Sequence, residues 1–139
     1  FRYRQFDASV FFQTALGFDI FNIHDFYYST KNFQGNVMDK AYSKNKLVSQ
    51  NPVVSDYFLE PGDYLKLSSL NIGYTLNLNK RFIDSVRIFA TANNLFTITK
   101  FSGIDPSTWE VNGLTPGATG SRSYYPNTRQ FMLGMQIDF

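Results

Sequence analysis

The 139-residue chain lacks cysteine and has only one histidine and one tryptophan. The absence of cysteine excludes disulfides, thiolate metal sites and cysteine nucleophiles. A single histidine, His24, cannot supply the several ligands of a usual zinc site. We therefore expect neither a metal nor a cofactor.

Strong charge and long apolar runs are also lacking. The net charge is +2, and it is spread along the chain without a basic stripe, so no nucleic-acid partner is expected. No stretch approaches the roughly 18 to 20 consecutive apolar residues that a membrane-spanning helix requires. Residues 1–4 form neither a signal peptide nor an initiator methionine, which indicates a start within a longer protein.

Aromatic residues are abundant, and apolar and polar residues alternate with a period of two. Phe and Tyr supply 15 and 9 residues, while the mean hydropathy is only −0.25, too polar for a bundle of membrane helices. The alternation predicts four strands, at about residues 4–16, 63–78, 84–97 and 129–139. In the second strand the apolar row changes parity at Ser68-Ser69, which predicts a β-bulge.

The connections between these strands differ greatly in length. A short polar turn is predicted at about residues 79–85, and long loops at about 17–62 and 98–128. Structureless loops beyond about 12 to 15 residues are uncommon in compact domains. Outer-membrane β-barrels combine short periplasmic turns with long extracellular loops. We therefore expect both long loops outside the cell and the short turn in the periplasm.

Strand length and the two faces favour a barrel over a β-sandwich. The alternation persists for the roughly 9 to 11 residues of a tilted membrane-spanning strand, whereas typical strands have about 5 to 6. The expected lipid-facing residues are Leu70, Ile72, Leu76, Val86, Ile88, Leu133 and Ile137. The expected lumen-facing residues are Asn71, Thr75, Arg87, Thr91 and Gln136.

Four strands cannot close a barrel, and an open edge in hydrocarbon leaves backbone groups without partners. The predicted fold class is therefore all-β: a transmembrane antiparallel β-barrel of which this chain supplies four strands. Both edges must pair with strands that lie outside the chain.

Candidate binding residues lie in the second long loop. Trp109, Tyr124 and Tyr125 could stack on a sugar ring or grip a peptide, although loop aromatics also pack together or mark the membrane interface. Asp105 and Glu110 resemble a glycosidase carboxylate pair only in composition, since nothing predicts a closed pocket around them. Because no catalytic constellation can be assembled, we expect no enzyme.

The first predicted loop and the last predicted strand each carry one further feature. Asp19, Asn22 and Asp25 could offer oxygen ligands to Ca²⁺, but their spacing fits no EF-hand loop, so a solvated loop is expected. Phe131 and Phe139 are apolar residues of the last predicted strand, and Phe139 is the final residue. A terminal aromatic in this position is expected in the periplasmic aromatic girdle.

Three stretches resemble the C-terminus of SusC/RagA-family TonB-dependent transporters. Residues 63–76 (DYLKLSSLNIGYTL) resemble the family strand YLRLKNLTLGYTLP, with Asn77 where the family often has proline. Residues 87–97 (RIFATANNLFT) with 101–106 (FSGIDP) resemble RVYVSGQNLFTFTKYSGYDPE. Residues 125–139 (YPNTRQFMLGMQIDF) are similar to the ending YPxPRTFTFGLNLTF, and residues 17–22 (GFDIFN) weakly resemble GxDIFN.

The resemblance implies the last four strands of a plugged barrel of about 22 strands in the outer membrane of a Gram-negative bacterium. It implies active import of glycan or peptide oligomers with a SusD-like surface lipoprotein, driven by TonB-ExbB-ExbD. The implied partners also include the rest of the barrel and its plug, membrane lipid, and the barrel-assembly machinery, whose recognition element the ending with Phe131 and Phe139 resembles. Two alternatives stay open at this point: an extracellular carbohydrate-binding β-sandwich, and an outer-membrane barrel enzyme.

Overall fold

The computed structural model describes residues 1–30, 35–43, 52–80, 82–110, 118–119 and 125–139. Within these ranges the strands are β1 (Arg2–Tyr3), β2 (Phe6–Ala15), β3 (Asp19–Phe21), β4 (Leu59–Pro61), β5 (Tyr64–Lys80), β6 (Ile83–Thr99), β7 (Trp109–Glu110), β8 (Ala118–Thr119) and β9 (Gln130–Asp138). The helices are α1 (Ile23–Tyr28) and α2 (Lys40–Ser43), with 3-10 turns at Asp56–Phe58 and Pro106–Thr108. No helix in these ranges combines the length and apolar character needed to cross a membrane.

The chain divides into two compact units. The first consists of Phe1–Thr14, Leu65–Ile98 and Asn127–Phe139 and carries most of the long strands. The second consists of Ala15–Tyr64 and Thr99–Pro126 and carries the helices and the short strands. The two segments predicted as long loops thus contain secondary structure of their own.

The first unit is built on one five-stranded sheet with the order β1-β2-β5-β6-β9. β6 and β9 are antiparallel, with pairs running from Ser85 opposite Asp138 to Asn93 opposite Gln130. β1 is antiparallel to β2 and places Arg2 opposite Asp7. Among the described strands, β1 and β9 each have one neighbour in this sheet, so they form its edges.

The observed strand ends correct two of the predicted boundaries. The turn expected at residues 79–85 is too long, because β5 extends to Lys80 and β6 begins at Ile83, and polar side chains do not prevent backbone pairing. β2 begins at Phe6 instead of residue 4, since Arg4 has a φ of 52°. This left-handed conformation is unfavourable for most residues and turns the chain out of the strand.

The alternation of β5 is interrupted near the predicted bulge. Lys66 and Leu67 are neighbours, yet both are buried. Ser68 hydrogen-bonds the side chain of Gln13, and Ser69 that of Asn71, although adjacent residues of a regular strand point to opposite faces. An extra residue at Ser68-Ser69 would account for both contacts, which supports the predicted bulge.

The second unit has a four-stranded sheet with the order β4-β3-β8-β7. β3 is antiparallel to β4 and parallel to β8. Its core is formed by Ile20 and Phe58, which are fully or almost fully buried, and by aromatic contacts of Phe58 with Phe21 and Phe26. Phe18 and Ile20 fill the space above Gly62, where a side chain would collide with them.

Candidate functional site

One face of the five-stranded sheet is polar, and its side chains bond to one another. The Nδ2 of Asn71 donates to Ser9 Oγ at 3.2 Å, and its Oδ1 accepts from Thr91 Oγ1 at 2.6 Å. Asn71 therefore connects β5 to the strand on either side. Ser85 Oγ donates to Asp138 Oδ2 at 2.8 Å, which joins β6 to β9.

An ion pair on this face spans three strands. Arg87 on β6 donates from Nε and Nη2 to the two carboxylate oxygens of Asp7 on β2, at 3.1 and 2.6 Å. The pair crosses β5 at Gly73. Paired guanidinium–carboxylate hydrogen bonds of this kind are stronger than neutral ones and fix direction. The face is polar and internally bonded, as suits a water-lined or plugged barrel interior.

The opposite face is apolar and exposed. Ile72 is 48% and Leu133 85% accessible. On β2, β5 and β6 the exposed large apolar residues of this face lie at even positions: Phe6, Val10, Phe12, Ile72, Leu76, Leu78, Ile88, Phe96 and Ile98. On β9 they lie at odd positions, because these residues are opposite even-numbered residues of β6: Phe131, Leu133, Met135 and Ile137. The β9 residues belong to the predicted apolar row. Contiguous exposed apolar surface of this kind is typical of an interface or a membrane-facing wall.

A polar cluster around the buried side chain of Asn22 joins three segments of the second unit. Glu60 on β4 accepts from the backbone N–H and the Oγ of Ser102, both at 2.7 Å. Asn22 Nδ2 donates to Glu60 Oε1 at 3.1 Å and to Ser102 Oγ at 3.3 Å. These residues come from the GFDIFN segment, from β4 and from the FSGIDP segment, so the cluster holds the bases of both long connections.

The pKa of Glu60 lies below its ordinary value. Burial raises the pKa of this carboxyl, but the hydrogen bonds from Ser102 and Asn22, together with the charge of Lys40, outweigh that effect. A carboxyl with a depressed pKa stabilises the folded state above its unfolded pKa, and this stabilisation is lost as the pH falls through the folded pKa. The cluster is therefore a source of acid sensitivity.

We predict that Glu60→Gln destabilises the second unit and removes part of this acid sensitivity. The substitution gives the Ser102 donors a neutral acceptor in place of a charged one, at a cost of about 1 kcal/mol of folding free energy, because these hydrogen bonds are exposed to solvent. Limited proteolysis from neutral pH down to pH values below the carboxyl range would measure the effect. Asp56→Asn, in the nearby 3-10 turn, serves as the control. Equal acid sensitivity of wild type and Glu60→Gln would contradict the assignment.

The structure locates the predicted binding aromatics only in part. Trp109 lies in β7, where its backbone pairs with Thr119 of β8. Tyr125 is 85% exposed, and Tyr124 lies outside the described residues. The described residues establish no contact among the three, so their grouping into a binding site stays a prediction.

The residues at the end of the chain are accessible along β9. Phe131 and Phe139 are 73% and 86% exposed. Phe131 lies opposite Ala92 of β6, and Phe139 directly follows the last residue of β9. Both are free to meet lipid or further strands, and their role in assembly stays a prediction.

Asn22, Asp25 and Asp105 have structural roles. Asn22 caps α1 by accepting from the N–H of Asp25 at 3.1 Å, and Asp25 is buried and pairs with Lys40 at 2.8 Å. The solvated loop expected around Asn22 and Asp25 is thus wrong, because a helix begins there. Asp105 is buried and accepts from the backbone and hydroxyl of Ser107, fixing a turn. In the described residues no group of three or more His, Cys, Asp or Glu could hold a metal ion.

Sequence reasoning missed the Asp7–Arg87 pair and the Glu60 cluster. Asp7 and Arg87 each lie in a predicted polar row, but they are 80 positions apart, and the alternation does not determine which strands are neighbours. Glu60 lies in a segment predicted as a loop. The resemblance gave a usable signal, since GFDIFN and FSGIDP are two of the segments that meet at this cluster.

Comparison with known proteins finds relatives over almost the whole chain. It is 28% identical to TonB-dependent receptor P3 of Formosa agariphila, across 99% of this chain and 15% of that protein. It is also 28% identical to TonB-dependent receptor SusC of Bacteroides thetaiotaomicron, across 99% of this chain and 14% of that protein. The chain thus spans about one seventh of the length of these relatives. No protein-family model matches it.

Solved structures show the same fold. The RagAB peptide importer in its closed-closed and open-open states matches 99% of this chain and 16% of the solved chain, with a TM-score of 0.73 and 23% identity in both. The likeness confirms the predicted partial β-barrel and disfavours the β-sandwich alternative. With the sequence relatives, it also confirms the predicted resemblance to a C-terminal segment of SusC/RagA-type TonB-dependent receptors.

Proposed function

We propose that this chain, which is related over nearly its whole length to TonB-dependent receptors, forms part of the wall of an outer-membrane importer. The observation that carries the proposal is the two-faced sheet, with an exposed apolar face and a polar face whose side chains bond to one another. Lipid satisfies the first face, and a hydrated or plugged lumen suits the second. The role is transport without covalent chemistry.

We further propose glycan or peptide oligomers as the cargo. One relative bears the name SusC, and the matching solved structures are of a peptide importer, so neither class is preferred. The proposed partners are the rest of the barrel and its plug, a SusD-like lipoprotein, TonB-ExbB-ExbD, membrane lipid, and the barrel-assembly machinery. The proposed location is the outer membrane of a Gram-negative bacterium.

Uptake by intact cells tests the importer role. Cells that carry the complete protein, and cells that lack it, would receive labelled glycan oligomers or labelled peptides, each with and without a protonophore. We expect accumulation of one cargo class that requires both the protein and an energised membrane. If both cargo classes accumulated to the same level in cells with and without the protein, the proposal would be contradicted.

The topology makes a separate prediction. We propose that the segments at about 17–62 and 98–128 are extracellular and that the turn predicted at about 79–85 is periplasmic. An epitope inserted between Asn112 and Gly113 should bind antibody on intact cells. The same epitope between Arg81 and Phe82 should bind only after the outer membrane is permeabilised. The reverse pattern would invert the topology.

A further inference from the structure

Two glycines of the five-stranded sheet lie beneath side chains that reach across from other strands. The Asp7–Arg87 ion pair passes over Gly73 of β5. A Cβ atom at Gly73 would lie 2.5 Å from Asp7 Oδ1 and 2.6 Å from Arg87 Nη2. A Cβ atom does not normally lie so close to another heavy atom. Any residue other than glycine at position 73 would therefore displace the Asp7 and Arg87 side chains.

The second glycine faces an aromatic ring. Gly134 of β9 lies opposite Phe89 of β6, and a Cβ atom there would lie 2.8 Å from two atoms of the Phe89 ring. The Arg87 guanidinium is 5.4 Å from the centroid of the same ring. Asp7, Gly73, Arg87, Phe89 and Gly134 therefore form one continuous cluster across β2, β5, β6 and β9, which we call the lateral lock.

The alternating pattern leaves one ambiguity in how these strands pair. A slip of one residue exchanges the apolar and polar faces and is strongly disfavoured. A slip of two residues keeps every side chain on its own face. Alternation alone therefore does not separate the native register from registers shifted by two.

The lateral lock distinguishes these registers. A two-residue shift of β5 would bring Asn71 or Thr75 beneath the ion pair, and the same shift of β9 would bring Met132 or Gln136 opposite Phe89. Each of these residues has a Cβ atom in the space that a glycine leaves open. A two-residue shift of β2 would separate Asp7 from Arg87.

We propose that the lateral lock fixes the register in which the last strands of the barrel assemble. The proposal rests on the barrel fold and not on the cargo. In this proposal Gly73 and Gly134 determine the register. Among the described residues in the polar rows of β5 and β9, only these two lack a Cβ atom. Gly73 therefore leaves room for the Asp7–Arg87 pair, and Gly134 leaves room for the Phe89 ring.

Cross-strand disulfides in the complete membrane protein can measure register, since this chain has no cysteine of its own. Ala90 lies opposite Leu133 in the native pairing, so Ala90→Cys with Leu133→Cys reports that register. Ala90→Cys with Phe131→Cys, or with Met135→Cys, reports the two shifted registers. In the otherwise unchanged protein we expect only the first pair to crosslink efficiently.

Gly134→Ala should raise the ratio of shifted to native crosslinks about tenfold, because the native register then has a collision with the Phe89 ring just as the shifted registers do, and overpacking of this kind typically costs enough to change an equilibrium by that factor. Asp7→Asn keeps the shape of the side chain but removes its charge. It should raise the ratio of shifted to native crosslinks between a second set of cysteine pairs, placed on β2 and β5. Wild-type ratios in both variants would overturn the proposal.

A compensating substitution covers the case in which Gly134→Ala does not assemble. Phe89→Ala removes the ring that collides with the new methyl group, so the double variant should assemble. Because the same ring excludes Met132 and Gln136 from the position opposite it, the double variant should form more shifted crosslinks than the wild type. Failure of the double variant as well would overturn the proposal, because collision with the ring would then not be the cause.

Discussion

Ile72→Arg should reduce the amount of folded protein in the outer membrane far more than Asn71→Arg. Ile72 is an exposed residue of the apolar face, whereas its neighbour Asn71 bonds to Ser9 and Thr91 on the polar face. Arginine on the lipid side of a barrel near the midplane costs about 2 to 4 kcal/mol, while lumen substitutions are milder. We would measure heat-modifiable protein in isolated outer membranes.

The comparison is stringent because the two positions are adjacent and receive the same side chain. Asn71→Arg loses the side-chain hydrogen bonds of Asn71 with Ser9, Ser69 and Thr91, so a modest decrease is expected for it. Leu133→Arg on β9 repeats the test at a second lipid-facing position. Equal yields for Ile72→Arg and Asn71→Arg would show that the faces are assigned wrongly.

Loss of Phe139 should have the second large effect. β9 has one described neighbour in the sheet, β6, so its other edge requires a partner from outside this chain if it lies in lipid. We propose that this partner is the first strand of the barrel and that the Phe139 ring lies in the periplasmic aromatic girdle. Deleting Phe139, or replacing it with Asp, should sharply lower the assembled barrel.

Asp138→Asn is the matched control for this prediction. Asp138 accepts from Ser85 and from Gln136 on the polar face, so its change alters one side of the same strand end and leaves the apolar row intact. We expect it to assemble nearly as wild type, by heat modification and by fractionation. Normal levels of assembled barrel after deletion of Phe139 would contradict the proposed roles of this residue in barrel closure and in assembly.

The alternation of residues was enough to predict the two-faced sheet, because side chains of a strand project to alternate sides whatever its partners are. It did not predict where strands end. β5 and β6 continue through Asn79, Lys80 and Ser85, since backbone pairing is indifferent to side-chain polarity. Conversely, Arg4 ends the pairing through its backbone conformation, which composition does not reveal.

The candidate sites were harder to predict for a different reason. The Asp7–Arg87 pair depends on strand order and register, and the Glu60 cluster depends on three segments meeting in one unit. Neither property is encoded in a local pattern. Asn22 shows the same limit: its segment has the composition of a loop, but its side chain caps a helix and joins the Glu60 cluster.

Lipid contact measured at adjacent positions tests the central claim most directly. Single cysteines at Ile72 and at Asn71 of the complete protein, each carrying the same fluorophore, would be compared in membranes that contain a quencher on the lipid acyl chain and with a quencher in water. We predict that the label at position 72 is quenched from the lipid and the label at position 71 from water. Quenching of both labels from water alone would contradict a membrane-spanning wall.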